Sequence, residues 1–86
     1  LFTLKITIVS ATGDIALRMQ DFLDGRKDVS IMSTDASLDV NTGLHTVVFV
    51  IDTVTGRGQL EISRDIYKGI IGFESSLRNL KIECIS

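Results

Sequence analysis

The residues of this chain that could do chemistry are few. His45 is the one histidine and Cys84 the one cysteine. A zinc site needs several nitrogen, sulfur or oxygen ligands brought together, and no second histidine or cysteine pair is present to share a metal. As a general base, His45 would need a nucleophile beside it; at the start of an apolar run it reads as a sheet-edge residue. Cys84, in a terminal strand, reads as a small buried hydrophobe rather than a nucleophile. Asp35, Asp39 and Asp52 fall near turns and could gather, but turn aspartates usually bond to their own backbone. Nothing in this set assembles an acid, a base and an oxyanion site. The reading is a protein without catalysis and without a cofactor.

Two stretches could bind an anion instead. In Ser10-Ala11-Thr12-Gly13-Asp14-Ile15, a strand-like pattern breaks and a helix-like one begins. Such a loop offers free backbone N–H groups at a helix N-terminus, where a carboxylate or phosphate is favoured. Gly13 permits close approach because it has no Cβ. The plainer explanation is that Thr12 caps the helix and Gly13 relieves a tight turn, since every helix start offers such groups. The second stretch is Asp52 to Gly58, in which Thr55-Gly56-Arg57-Gly58 could clasp an anion with the arginine fork. It is not a phosphate loop of the Walker type, because no lysine followed by Ser/Thr closes it.

These residues need elements to place them. Leu44 to Asp52 is the organising stretch: Val47, Val48, Phe49, Val50 and Ile51 are consecutive, stiff and apolar. Branched and aromatic side chains suit a pleated sheet, and an uninterrupted run predicts a strand covered on both faces. Residues 1–9 alternate, with Phe2, Leu4, Ile6 and Ile8 on one side and Thr3, Lys5, Thr7 and Val9 on the other, which predicts a half-buried strand. Ile15, Met19, Phe22 and Leu23 recur at helical spacing, with Thr12 as N-cap, Asp14 in the first turn and Gly25 closing the helix. Asp14 and Arg18 stand four apart for a weak pair. Residues 28–40 predict a strand whose phase changes from Val29 and Ile31 to Ala36, Leu38 and Val40; a bulge near Ser33 to Asp35 reconciles them. Asn41 and Gly43 suit a short hairpin. From Leu60, the positions Ile62, Ile66, Ile70, Phe73 and Leu77 fit a helix, broadened by Tyr67 and Ile71 and weakened at Gly69 and Gly72. The alternative for residues 59–63 is a hairpin extension, with Asp65 as N-cap of a shorter helix. Leu80, Ile82 and Cys84 predict a closing strand.

Composition bounds the function. Eighty-six residues make one domain, 1–86, which can be a piece of a longer protein. A chain of this size buries about 60–65 % of its unfolded surface, and 44 % apolar residues suffice for a core. Nine basic and eleven acidic side chains leave a net charge of −2 with no basic block, so no nucleic-acid partner is expected. An RNA-binding sheet would also want exposed aromatics on its central strands, and Phe49 alternates with the inward set. No apolar run reaches the roughly 18 residues that span a bilayer. A single cysteine suits a reducing compartment, so the expectation is a soluble cytoplasmic protein, with no membrane partner.

The order strand, helix, strand, strand, helix, strand predicts an α+β, ferredoxin-like βαββαβ sandwich: a four-stranded antiparallel sheet with two helices on one face. Right-handed crossovers put the first and third strands in the middle. The other face should then be wet, yet Val9, Val48 and Val50 fall on it. Either a partner chain or neighbouring domain covers these valines, or they are isolated exposed residues.

The whole chain resembles an ACT domain, a small regulatory module with this element order that commonly dimerises. In that family a D-x-P-G-x-L loop opens the first helix and helps bind an amino acid. Here Gly13 matches the glycine and Ile15 the apolar residue, while Ser10 replaces the acid and Thr12 the proline. Gly58-Gln59-Leu60-Glu61 resembles the opening of the family's second helix. The resemblance implies a regulatory or assembly domain that self-associates as a homodimer or docks through its sheet. It also implies an amino-acid ligand at Ser10, Ala11, Thr12, Gly13, Asp14 and Ile15. The alternative is a small enzyme, or a subunit of one, that uses the Asp52 to Gly58 loop.

Overall fold

A computed structural model describes residues 2–53, 59–72 and 74–86. Strand β1 (Thr3–Ser10) leads to helix α1 (Asp14–Asp24), then β2 (Val29–Leu38), β3 (His45–Thr53), helix α2 (Gln59–Ile71), a 3-10 turn (Glu74–Ser76) and β4 (Leu77–Cys84). The four strands form one antiparallel sheet in the order β2-β3-β1-β4. This is the βαββαβ ferredoxin-like arrangement, with the apolar strand β3 and β1 in the middle. No helix among the described residues is long and apolar enough to cross a membrane.

The core follows the two periodicities. Leu4, Ile6 and Ile8 of β1 and Val47, Phe49 and Ile51 of β3 are buried on one sheet face. Ile15, Met19 and Leu23 of α1 and Ile62, Ile66 and Ile70 of α2 are buried among them. Burying such side chains contributes about 1.5–3 kcal/mol each. Gly69, in the last turn of α2, is there for packing. A Cβ at that position would lie 2.8 Å from Cε2 of Phe22 and closer still to the rest of the ring edge. The missing side chain lets the α1 aromatic reach the α2 backbone.

Behind Phe22, Arg26 joins three elements. Its Nε and Nη2 donate to both Asp28 carboxylate oxygens at 2.8 and 2.6 Å, and Nη2 also reaches Asp65 on α2 at 3.3 Å. The guanidinium lies 5.8 Å from the Phe22 ring centre. Hydrogen bonding to Asp28 is the main reason its pKa is raised, with a further contribution from Asp65. Asp65 therefore sits inside a helix that begins at Gln59, and does not cap a shorter one.

Several expectations need correction. Leu77 does not continue α2, which ends at Ile71; Leu77 opens β4, three residues earlier than the predicted Leu80. Periodicity alone could not see the intervening turn at Glu74–Ser76. Phe73 and the side chain of Ile71 lie outside what is described. Tyr67 is exposed rather than part of the stripe. Cys84 shares the inward phase of Leu80 and Ile82 yet is exposed, because it closes the last strand at the margin of the sheet. Gly25 does end α1, but at φ −74° rather than in the left-handed region. The strand bulge falls between Ile31 and Ser33, slightly before its expected place, and makes Met32 the extra residue. Its effect is the expected one: Ile31 pairs with Ile51 before it, and Ala36 with Val47 after it. The hairpin turn is built by Asp39, whose carboxylate accepts the amides of Asn41 and Thr42, and by Gly43 at φ 73°.

Candidate functional site

Strand β2 holds ten residues and α1 eleven. At 3.3 and 1.5 Å per residue, the strand runs about 33 Å and the helix only about 16 Å. The far half of β2 therefore keeps the inward phase without a helix above it, and Ala36 and Leu38 stay exposed. Between this uncovered strip and the start of α1 lies a cavity of about 260 Å³. Ser10, Thr12, Gly13, Ile15 and Ala16 form its helix side. Ala36, Ser37 and Leu38 of β2 and His45, Thr46 and Val47 of β3 form the sheet side.

Four of the six loop residues expected to bind a ligand, Ser10, Thr12, Gly13 and Ile15, thus share one cavity. Ala11 and Asp14 do not line it. The Ala11 amide donates to the Ser76 carbonyl at 2.8 Å, tying the loop to the 3-10 turn. Asp14 lines a smaller hollow on the other side of the helix start, with Arg18, Ser75 and Ser76.

The loop is held from within. Ser10 is buried and its hydroxyl donates to the Thr12 carbonyl at 2.8 Å. Thr12 is not the N-cap: Gly13 holds that position, at φ −81°, with no side-chain cap. One residue too early to cap, Thr12 donates its hydroxyl to the Asp14 carboxylate instead. That bond is the chief reason the Asp14 carboxyl lies below its ordinary value; the amides of Asp14 and Ile15 and the charge of Arg18, whose Nε is 3.9 Å away, act in the same direction. The anion already at this helix start is the protein's own.

His45 is the residue that sequence reasoning misplaced. It pairs with Ser10 on β1 and Leu38 on β2, so it lies between neighbours rather than at an edge. Its imidazole lies against Gly13, where an added Cβ would come within 3.2 Å of Cε1 and 3.3 Å of Nδ1. The available signal was parity: His45 has the phase of Val47, Phe49 and Ile51 and must face the helix layer.

The other candidates do not converge. Asp52 accepts a hydrogen bond from Thr3 at 2.6 Å, and Asp39 is engaged in its own turn. Asp35 pairs with Val48, four residues along β3 from Asp52, roughly 13 Å away at strand spacing. Among the described residues, no group of three or more His, Cys, Asp or Glu could hold a metal. Of the loop Asp52 to Gly58, residues 54–58 lie outside the described residues, Arg57 included. On the far face of the sheet, Val9, Val48 and Val50 are half-buried. Their cross-strand neighbours are polar: Thr46 and Asn79 for Val9, Thr7 and Asp35 for Val48, Lys5 and Ser33 for Val50. The valines form a short diagonal on a face that is otherwise hydrophilic.

No family model and no curated protein matches the sequence. Solved structures do. A formyltetrahydrofolate deformylase from Pseudomonas syringae pv. tomato str. DC3000 matches with a TM-score of 0.74 at 18 % identity, over 98 % of this chain and 28 % of that one. The C-terminal domain of the MgtC protein from Mycobacterium tuberculosis matches at 0.71 and 7 % identity, over 98 % of this chain and 87 % of that one. A second formyltetrahydrofolate deformylase, from Pseudomonas putida KT2440, matches at 0.60 and 8 % identity, again over 28 % of its length. The chain thus spans 28 % of each of these two enzymes. These likenesses are of fold, and they fit the fold that the ACT resemblance implies; fold alone carries no activity.

Proposed function

We propose that this chain is a non-catalytic regulatory domain of the ACT type, which binds a small ligand in the cavity at the start of α1 and docks through its sheet. One observation carries the reading: four residues of the loop singled out by sequence resemblance line a cavity of about 260 Å³, ample for an amino acid. The apolar wall, the closely approaching glycine backbone and the single imidazole suit recognition and supply no nucleophile–base pair. The partial coverage of two enzyme chains supports a module that accompanies catalysis rather than performing it. The valine diagonal on the other face supplies a surface for a second copy or a neighbouring domain.

The test is a thermal-shift screen of the twenty amino acids, followed by Gly13→Val. At least one amino acid raises the melting temperature of the wild-type protein. In the variant, the new side chain meets His45 at the cavity wall and removes that shift while leaving the unliganded transition intact. No shift with any of the twenty discards the amino-acid ligand.

A further inference from the structure

The cavity has one titratable group on its wall. Of the described residues that line it, only His45 carries a side chain that can become a cation by binding a proton. Its ring has no hydrogen-bond partner among the described residues, and it flanks the uncapped helix start at Gly13. The neighbouring elements bring two carboxylates near: Asp14 on α1 and Asp39 at the end of β2. Asp14 is engaged by Thr12 and Arg18 and lines the other hollow. Asp39 is engaged by the amides of its own turn. Arg18 is the cation of α1 on this side and also lines the other hollow. From β1 the pairing neighbour is Ser10, which carries no charge.

This distribution decides what charge the cavity accepts. The helix amides that would ordinarily hold an anion already face Asp14, so a bound carboxylate must take its counter-charge from His45. Among the described residues, no acidic side chain lines the wall to hold an ammonium group. Ile15, Ala16, Ala36, Leu38 and Val47 make up the apolar part of the wall, and Ser10, Thr12, Ser37 and Thr46 contribute uncharged polar groups. We propose that the cavity takes a small branched apolar monocarboxylate, with the His45 imidazolium as its charge partner, and that an α-ammonium group contributes nothing to binding. The inference rests on the reading of this cavity as a ligand site.

Three probes of nearly the same shape test it: isovalerate, its uncharged amide isovaleramide, and L-valine, which is isovalerate with the ammonium added. Binding is measured on the intact chain from pH 5.5 to 8.0, and the imidazole is followed by proton NMR, where the only histidine gives a single Cε1–H resonance. Isovalerate affinity is lost progressively as pH rises across this range if the imidazolium alone binds. Saturating isovalerate moves the His45 midpoint upward. Isovaleramide binds with no pH dependence, and L-valine binds no tighter than isovalerate. In His45→Gln, the carboxylate loses its pH dependence while amide binding persists. Binding of isovalerate and isovaleramide with an unmoved His45 titration overturns the charge assignment alone. Absence of binding by all three probes overturns the cavity reading as well. Tighter binding of L-valine overturns the claim about the ammonium group.

Discussion

Gly69 offers a test of the helix layer in which the structure and simple propensity give opposite signs. Glycine inside a helix costs about 1 kcal/mol relative to alanine, so a helix that met nothing at this point would be stabilised by Gly69→Ala. In the structure, the added Cβ would overlap the Phe22 ring. The ring is half-buried, packs against the core and lies under Arg26, so moving it aside sacrifices contacts on both sides. Overpacking of this kind costs about 1–3 kcal/mol. Gly69→Ala should therefore destabilise the protein by about 1 kcal/mol net. With Phe22 first truncated to alanine the obstruction is gone, and Gly69→Ala should then stabilise by about 1 kcal/mol. The coupling between the two sites is about 2 kcal/mol, well above the few tenths of a kcal/mol at which distant sites add. Urea unfolding of the four proteins in the cycle measures it. Stabilisation by Gly69→Ala in the wild-type background, or a coupling near zero, refutes the close approach of α1 to α2.

Three further outcomes follow from the geometry. Arg26→Met removes three charge-assisted hydrogen bonds and leaves Asp28 largely buried, which should cost about 2–4 kcal/mol by denaturant unfolding; Arg26→Lys should recover less than half of this, since lysine has no bidentate fork. The depressed pKa of the Asp14 carboxyl contributes stability that is present above its unfolded value near 3.8 and is lost as pH falls through the lower folded value. Asp14→Asn should accordingly lower the melting temperature at neutral pH and leave it little changed below the folded value, flattening the acid limb of the profile. Val48 faces Asp35 across β2 and β3, so Val48→Lys places opposite charges together and preserves the sheet. At micromolar concentration the wild type should sediment as a dimer and the lysine variant as a monomer, and a wild-type monomer with no docking partner rules out association through the valines.

Much of the fold was legible because it is local. The alternation of β1, the apolar run of β3 and the stripe Ile15-Met19-Leu23 each declare a period within a few residues, and the phase change in β2 even announced its bulge. Leu77 was misread because Ile70, Phe73 and Leu77 keep helical spacing across a chain reversal that has no proline to mark it. The candidate site was half legible. Ser10, Thr12, Gly13 and Ile15 are contiguous and carry a resemblance, whereas the opposite wall comes from Ala36, Leu38 and His45, joined only by strand pairing. The pairing of His45 with Ser10 cannot be read from neighbours in the chain. Nor can the length difference between α1 and β2 that leaves the cavity open, which appears only when the elements are laid together.

The central claim, that the hollow beside the first helix binds a small ligand, is tested most directly by amide chemical shifts recorded while candidate amino acids and their deaminated analogues are titrated in. The account predicts saturable shifts concentrated at Ser10, Gly13, Ala36 and Thr46, with the core of α2 unmoved. Saturable shifts centred on other residues, or none with any compound, would contradict it.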